Sequence, residues 1–133
     1  MTDEIDEEDY AALAAFRLEL RRFLHFSETA AREASLTPQQ HQALLAIRAA
    51  GDEGMLVGDL AEHLLLKPHS TSELVNRLAE HDLVTRHATT DDRRQVRIML
   101  SGRARDILTS LSDSHRAELR RLRPLLLRLL EAL

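Results

Sequence analysis

Between Asp82 and Ser101 the apolar residues of this chain stop recurring every three or four positions and begin to alternate. That change of period constrains the fold more than any other feature, because alternation belongs to strands and the longer spacing to helices. Leu83 to His87 carries Val84 and Thr85, and Val96, Ile98 and Leu100 alternate with Arg97 and Met99. The pattern predicts two short strands joined by the loop ATTDDRRQ, a hairpin set into an otherwise helical chain.

The flanking segments read as helices. From Tyr10 to about Ala34, Leu13, Phe16, Leu20, Phe23 and Leu24 fall on one stripe. The acidic residues ahead of them suit a helix N-terminus or form a solvated tail. Thr37-Pro38 is a helix start, with Thr as N-cap and Pro in the first turn; Gln40, Leu44 and Ile47 share a face, and the helix stops near Gly51. The stretch GDEGMLVGD is a connection with a short strand at Met55–Val57. Asp59, or the glycine before it, opens a short helix bearing Leu60, Ala61 and Leu64. Lys67-Pro68 then breaks and restarts the chain, because proline fits the first turn of a helix and not its interior. The next helix turns Thr71, Leu74, Val75 and Leu78 inward and His69, Ser70, Ser72, Glu73, Asn76 and Arg77 outward. Ser101 caps a last helical region that Pro124 kinks or divides.

At 133 residues this is one domain, 1–133, with a modest core. Its class is mainly α with a small β-hairpin. The net charge of −4 argues against an anionic partner, but the distribution points the other way. Residues 1–35 hold nine acids against four arginines, whereas residues 67–105 hold eight Lys/Arg against five acids and three histidines besides. Positive charge is gathered around the predicted hairpin. There is no cysteine, which excludes disulfides and thiol chemistry, and the acidic N-terminus has no apolar leader. A cytoplasmic protein is expected, and no apolar run is long enough to span a membrane.

Short helix, turn, helix and hairpin follow one another from Val57 to Leu100, the order of a helix-turn-helix with a β-wing. Small polar and amide side chains on the second helix can approach base edges in the major groove of duplex DNA. Lys67 stands at that helix's N-terminus, where free backbone amides favour an anion. Arg93 and Arg94 in the hairpin loop suit a narrow minor groove. Each feature has a plainer reading as solvated surface, with Asp91 and Asp92 pairing locally with the arginines. Their coincidence is what argues for DNA.

The stretches LTPQQHQALLAI, VGDLAEHLLLKPHSTSELVNRLAEHDLVTR and DDRRQVRIMLS together resemble the multiple-antibiotic-resistance-regulator (MarR) family of winged-helix transcription factors. The resemblance runs over about residues 10–133 and is sharpest over 56–101. It implies a homodimer in which the end segments, 1–35 and 102–133, form dimerisation helices around a DNA-binding region, 36–101. It also implies a transcriptional repressor on a palindromic operator, with the recognition helix in the major groove and the wing in the minor groove. Carried over by position, His69, Ser70, Ser72, Asn76 and Arg77 face bases and phosphates, Arg94 is the wing arginine and Asp92 the acid that braces it. The sequence departs from the family pattern at Asp82, where glycine is usual, at Ala104 and at Glu73. Asp tolerates a left-handed backbone, so the turn at Asp82 should survive.

The leucine-rich C-terminal helix has its own argument: Leu108, Leu111, Leu119, Leu122, Leu126, Leu129, Leu130 and Leu133 need more apolar cover than one small domain offers. Burial within the monomer is the alternative. Family members also release DNA when a small aromatic acid enters a cleft, for which Phe23, Phe26, His41 and Arg48 are the candidate neighbours. Some bind zinc, and His25, His41 and His115 invite that reading, but no HxxxH pair or cysteine supports a metal site. No cofactor is implied, and no nucleophile elbow or phosphate-binding glycine loop suggests an enzyme. A winged-helix adaptor that binds protein instead of DNA is the remaining alternative.

Overall fold

The computed structural model describes residues 3–89 and 95–133. The first helix, α1 (Glu7–Glu33), begins earlier than the apolar stripe suggests. Asp6 is its N-cap: the carboxylate accepts from the Asp9 amide at 2.9 Å and the Asp9 carboxylate accepts from the Asp6 amide at 3.1 Å. With Glu7, Glu8 and Asp9 in the first turn, the acidic run belongs to the helix and opposes its dipole favourably. Ser35, in the left-handed region at φ 64°, ends it, and Leu36 donates back to the Ala31 carbonyl.

The second helix, α2 (Pro38–Ala49), starts as its sequence suggests, with a reciprocal cap between Thr37 and Gln40. A two-residue strand, β1 (Met55–Leu56), leads directly into α3 (Val57–Leu64), which starts two residues before Asp59 and has no side-chain cap. Leu65 makes the turn in a left-handed conformation, φ 57°, and α4 (Pro68–Glu80) follows. Asp82 is left-handed too, at φ 57°, a conformation its short polar side chain tolerates where glycine would be usual.

Strands β2 (Val84–Ala88) and β3 (Val96–Leu100) pair antiparallel, with Val84 opposite Leu100, Arg86 opposite Ile98 and Ala88 opposite Val96. β1 adds to the other edge, giving a three-stranded sheet in the order β1-β3-β2. Gly54 permits this: at φ 72°, a Cβ there would lie 1.9 Å from the Ile98 carbonyl oxygen. Helix α5 (Gly102–Glu131) runs unbroken through Pro124, so the chain neither restarts nor divides there. Neighbouring turns carry the helix across the one missing amide donor.

Ser101 is all that separates β3 from α5, and it is fixed three ways. Its amide donates to the Leu83 carbonyl at 3.0 Å, its hydroxyl donates to the Asp82 carbonyl at 2.7 Å, and its oxygen accepts from the Ala104 amide at 3.1 Å. The core lies between α2, α3, α4 and the sheet, around Leu44, Ile47, Leu60, Val75, Leu78 and Ile98, and Ala104 and Leu108 of α5 close it. Thr71, Leu74, Val75 and Leu78 all point inward, as the periodicity requires. The stripe on α1 does not behave so simply: Leu13, Leu20 and Leu24 are exposed. On α5, Leu119, Leu127 and Leu130 are exposed as well, as is Leu133 just beyond its end.

Candidate nucleic-acid interface

Helices α3 and α4 meet through the turn at Leu65 to Lys67. Burial of Leu60, Ala61, Leu74, Val75 and Leu78 fixes α4 by its inner face. Thr71 is fully buried, and its hydroxyl donates to the Lys67 carbonyl at 3.1 Å, satisfying a polar group that would otherwise be costly inside. Lys67 is the N-cap but offers no capping side chain, so the amides of His69 and Ser70 have no intrahelical acceptor. Two free amides, a dipole and an exposed lysine make this end attractive to an anion.

His69, Ser70, Ser72, Asn76 and Arg77 are exposed and lie on α4 together, as the periodicity predicts. Glu73 is exposed among them and sits 3.2 Å from His69 Nε2, an i,i+4 pair that offsets its charge when the imidazole is protonated. At the other end of α4, Arg103 of α5 donates to the His81 carbonyl at 2.8 Å. Asp92, Arg93 and Arg94, the predicted wing residues, lie outside the described residues.

One contact at this surface has no forerunner in the sequence reading. Arg86 on β2 donates from Nη1 to Asn76 Oδ1 on α4. The residues are ten apart in sequence and belong to different elements, so no local motif signals the pair. Strand alternation does place Arg86 on the same side as buried Val84, toward α4.

A second feature lies away from this surface. A cleft of about 960 Å³ is bordered by α1, α2 and α5 and takes in Phe23, His41, His115 and Leu119 with Arg116, Arg120 and Arg123. Phe26 stands behind it, its ring 6.4 Å from Phe23 and 5.3 Å from His115 between centroids. Arg48 is exposed in the last turn of α2 and does not line the cleft. His115 lies 2.7 Å from both the Leu111 carbonyl and the Ser27 hydroxyl. A carbonyl only accepts, so Nδ1 carries the proton, and in the neutral ring Nε2 accepts from Ser27. His41 is buried, 4.9 Å from His115 between centroids. Burial, and secondarily the neighbouring His115, hold its pKa below the ordinary histidine value. Among the described residues no cluster of three or more His, Cys, Asp or Glu side chains is placed to hold a metal, and no helix is long and apolar enough to cross a membrane.

Comparisons with known proteins bear on the whole architecture. Residues 34–95, from the end of α1 into the hairpin, match the family model described as MarR family. A search of curated protein sequences gave no significant match. Among solved structures, a MarR family protein from Bacillus stearothermophilus is 24% identical, with 90% of this chain and 82% of that one covered and a TM-score of 0.75. A Staphylococcus aureus MepR mutant bound to an oligodeoxyribonucleotide is 19% identical, with coverage of 90% and 83% and a TM-score of 0.70. NadR in complex with 4-hydroxyphenylacetate is 16% identical, with coverage of 95% and 84% and a TM-score of 0.74. With its helix-turn-helix and its hairpin, the chain has the fold of MarR family winged-helix structures, and the segment 34–95 that holds most of these elements matches the model of that family.

Proposed function

We propose that the protein is a sequence-specific duplex-DNA-binding repressor that acts as a homodimer on a palindromic operator. The observation that carries this reading is the face of α4. An uncapped N-terminus beside Lys67 and a row of exposed polar side chains stand next to a two-stranded hairpin, in the most basic part of an acidic chain. In this reading α4 lies in the major groove, with Ser70, Ser72 and Asn76 near base edges, and Lys67, His69 and Arg77 near phosphates. The hairpin reaches the minor groove with Arg93 and Arg94, assigned by their place in the DDRR stretch and braced by Asp92.

The exposed leucines of α1 and α5 support the dimer, since they form apolar surface of a kind monomeric domains keep small. The MepR mutant binds an oligodeoxyribonucleotide, and a partner of that kind fits the charge distribution here. The cleft supports regulation by a small aromatic acid: rings of Phe23 and His41 would face the aromatic part, and Arg116, Arg120 or Arg123 the carboxylate. NadR holds 4-hydroxyphenylacetate, a ligand of that chemistry.

The test is selection of bound sequences from random duplexes, followed by titration of the recovered site at increasing salt. A palindrome is expected, with affinity falling steeply as salt rises because phosphate contacts release counterions. Arg94→Ala should weaken binding while leaving the oligomer intact. Absence of duplex binding at any salt would instead make the molecule a protein-binding adaptor.

A further inference from the structure

We propose that Arg86 is a positioning residue for base readout: by holding Asn76 Oδ1 it turns the Asn76 amide into a donor-only reader of the major groove. The inference rests on the DNA-binding reading above and adds a specificity to it.

The argument starts from hydrogen-bond valence. A guanidinium has five N–H donors and no acceptor, so whatever atom of Asn76 it meets must be the oxygen. The Arg86 Nη1 to Asn76 Oδ1 contact therefore fixes which end of the amide is taken. Nδ2, with its two N–H donors, is the end left for a base. An asparagine with both ends available pairs bidentately with adenine, accepting from N6 while donating to N7. An asparagine whose oxygen already accepts from a cation keeps one lone pair, but the adjacent positive charge repels the N6–H donor, so the amide acts as a donor instead. Guanine offers two acceptors in the major groove, O6 and N7, and thymine offers O4. Cytosine presents a donor there and is disfavoured against two donors and a nearby positive charge.

The setting strengthens the effect. Arg86 lies on β2 opposite Ile98, whose neighbour Arg97 pairs with Leu56 of β1, so its backbone is anchored within the sheet. Val84, two residues earlier on the same side, is buried. Both Arg86 and Asn76 are exposed in the free chain, where water competes with their contact. Against a groove wall water is excluded, and a charge-assisted bond there is stronger than in solvent. A guanidinium has further donors that suit a phosphate, so one side chain would join the hairpin, the recognition helix and the DNA backbone.

The experiment compares operator selection by the intact protein with that by Arg86→Met, Arg86→Lys, Asn76→Ala and the Arg86→Met/Asn76→Ala double variant. Thermal midpoints and sedimentation are measured on the same samples. The wild type should select a defined site with guanine or thymine at the position whose preference Asn76→Ala abolishes. Arg86→Met should shift that one position toward adenine by about tenfold, the scale of a single base contact, with other positions unchanged. Arg86→Lys, which keeps a cationic donor, should retain the wild-type base. The double variant should match Asn76→Ala at that position, because no amide remains to be oriented. If the wild type selects a site and Arg86→Met returns the same base at every position, with affinity merely lower, the proposal is overturned and Arg86 is a phosphate contact. Adenine selected by the wild type at that position would overturn it as well. If the wild type selects no sequence, the DNA-binding reading has itself failed, and this inference falls with it.

Discussion

His41 shows how one side chain ties stability to acidity. In the unfolded chain it takes up a proton near the ordinary value of 6.5, whereas in the folded chain burial, with His115 alongside, resists that charge. The unfolded state therefore holds more protons between the two values, and the fold loses stability as pH falls from about 6.5 through the lower, folded value. Above 6.5 the imidazole is neutral in both states and contributes no slope. Thermal midpoints at pH 7.5 and pH 5 should fall further for the wild type than for His41→Gln. Equal drops would show that other groups govern the acid limb. The rest of the cluster, Phe23, Phe26, Ser27 and His115, comes from α1 and α5, so the strain of protonation would be felt where those helices meet α2.

Among the elements, the sheet depends on a close approach of backbone to backbone. Gly54→Ala would put a methyl against the Ile98 carbonyl at a φ of 72°, so β1 would have to leave β3. A loss of about 2 kcal/mol or more is expected from left-handed strain and displaced pairing together. Chemical denaturation would read this as a lower midpoint, and an unchanged midpoint would mean that β1 contributes nothing to the sheet. Other elements were legible from local chemistry. Thr37-Pro38, Ser101 and the alternation at Val96 to Leu100 each carry their cause within four residues, as do the inward positions of α4. The acidic run before Tyr10 left two readings open because a cap between two aspartates resembles a charged tail until the amides are placed. The start of α3 carries no such mark: Leu56 caps it without a side-chain bond, leaving no residue type to recognise, and the helix begins ahead of both Gly58 and Asp59. Arg86 with Asn76 was invisible for a different reason: only the packing of β2 on α4 brings them together.

At the scale of the molecule, the exposed leucines offer the apolar surface on which two copies would pair. Leu127 and Leu130 lie outside the core of this chain, so charging them should leave the monomer fold intact. A Leu127→Glu/Leu130→Glu variant is expected to sediment as a folded monomer at micromolar concentration, and the wild type as a dimer. Its operator affinity should fall by about a hundredfold, because two tethered half-site contacts become two independent ones. A variant that remains dimeric would move the interface away from the end of α5. The opposing charges of the two halves of the chain fit the proposed division, in which acidic helix α1 would be kept from the duplex and the basic middle segment turned toward it.

Ser101 would give the proposed dimer a mechanical character. A single, triply bonded residue between β3 and α5 leaves little slack between the strand and the long helix. Two such pieces, clasped at their helices, would behave like the arms of a caliper. The angle at which α5 met its counterpart would set the distance between the two α4 helices, and a slight turn at the clasp would be multiplied along the arm. A dimer built this way would measure the gap between half-sites as well as reading their letters.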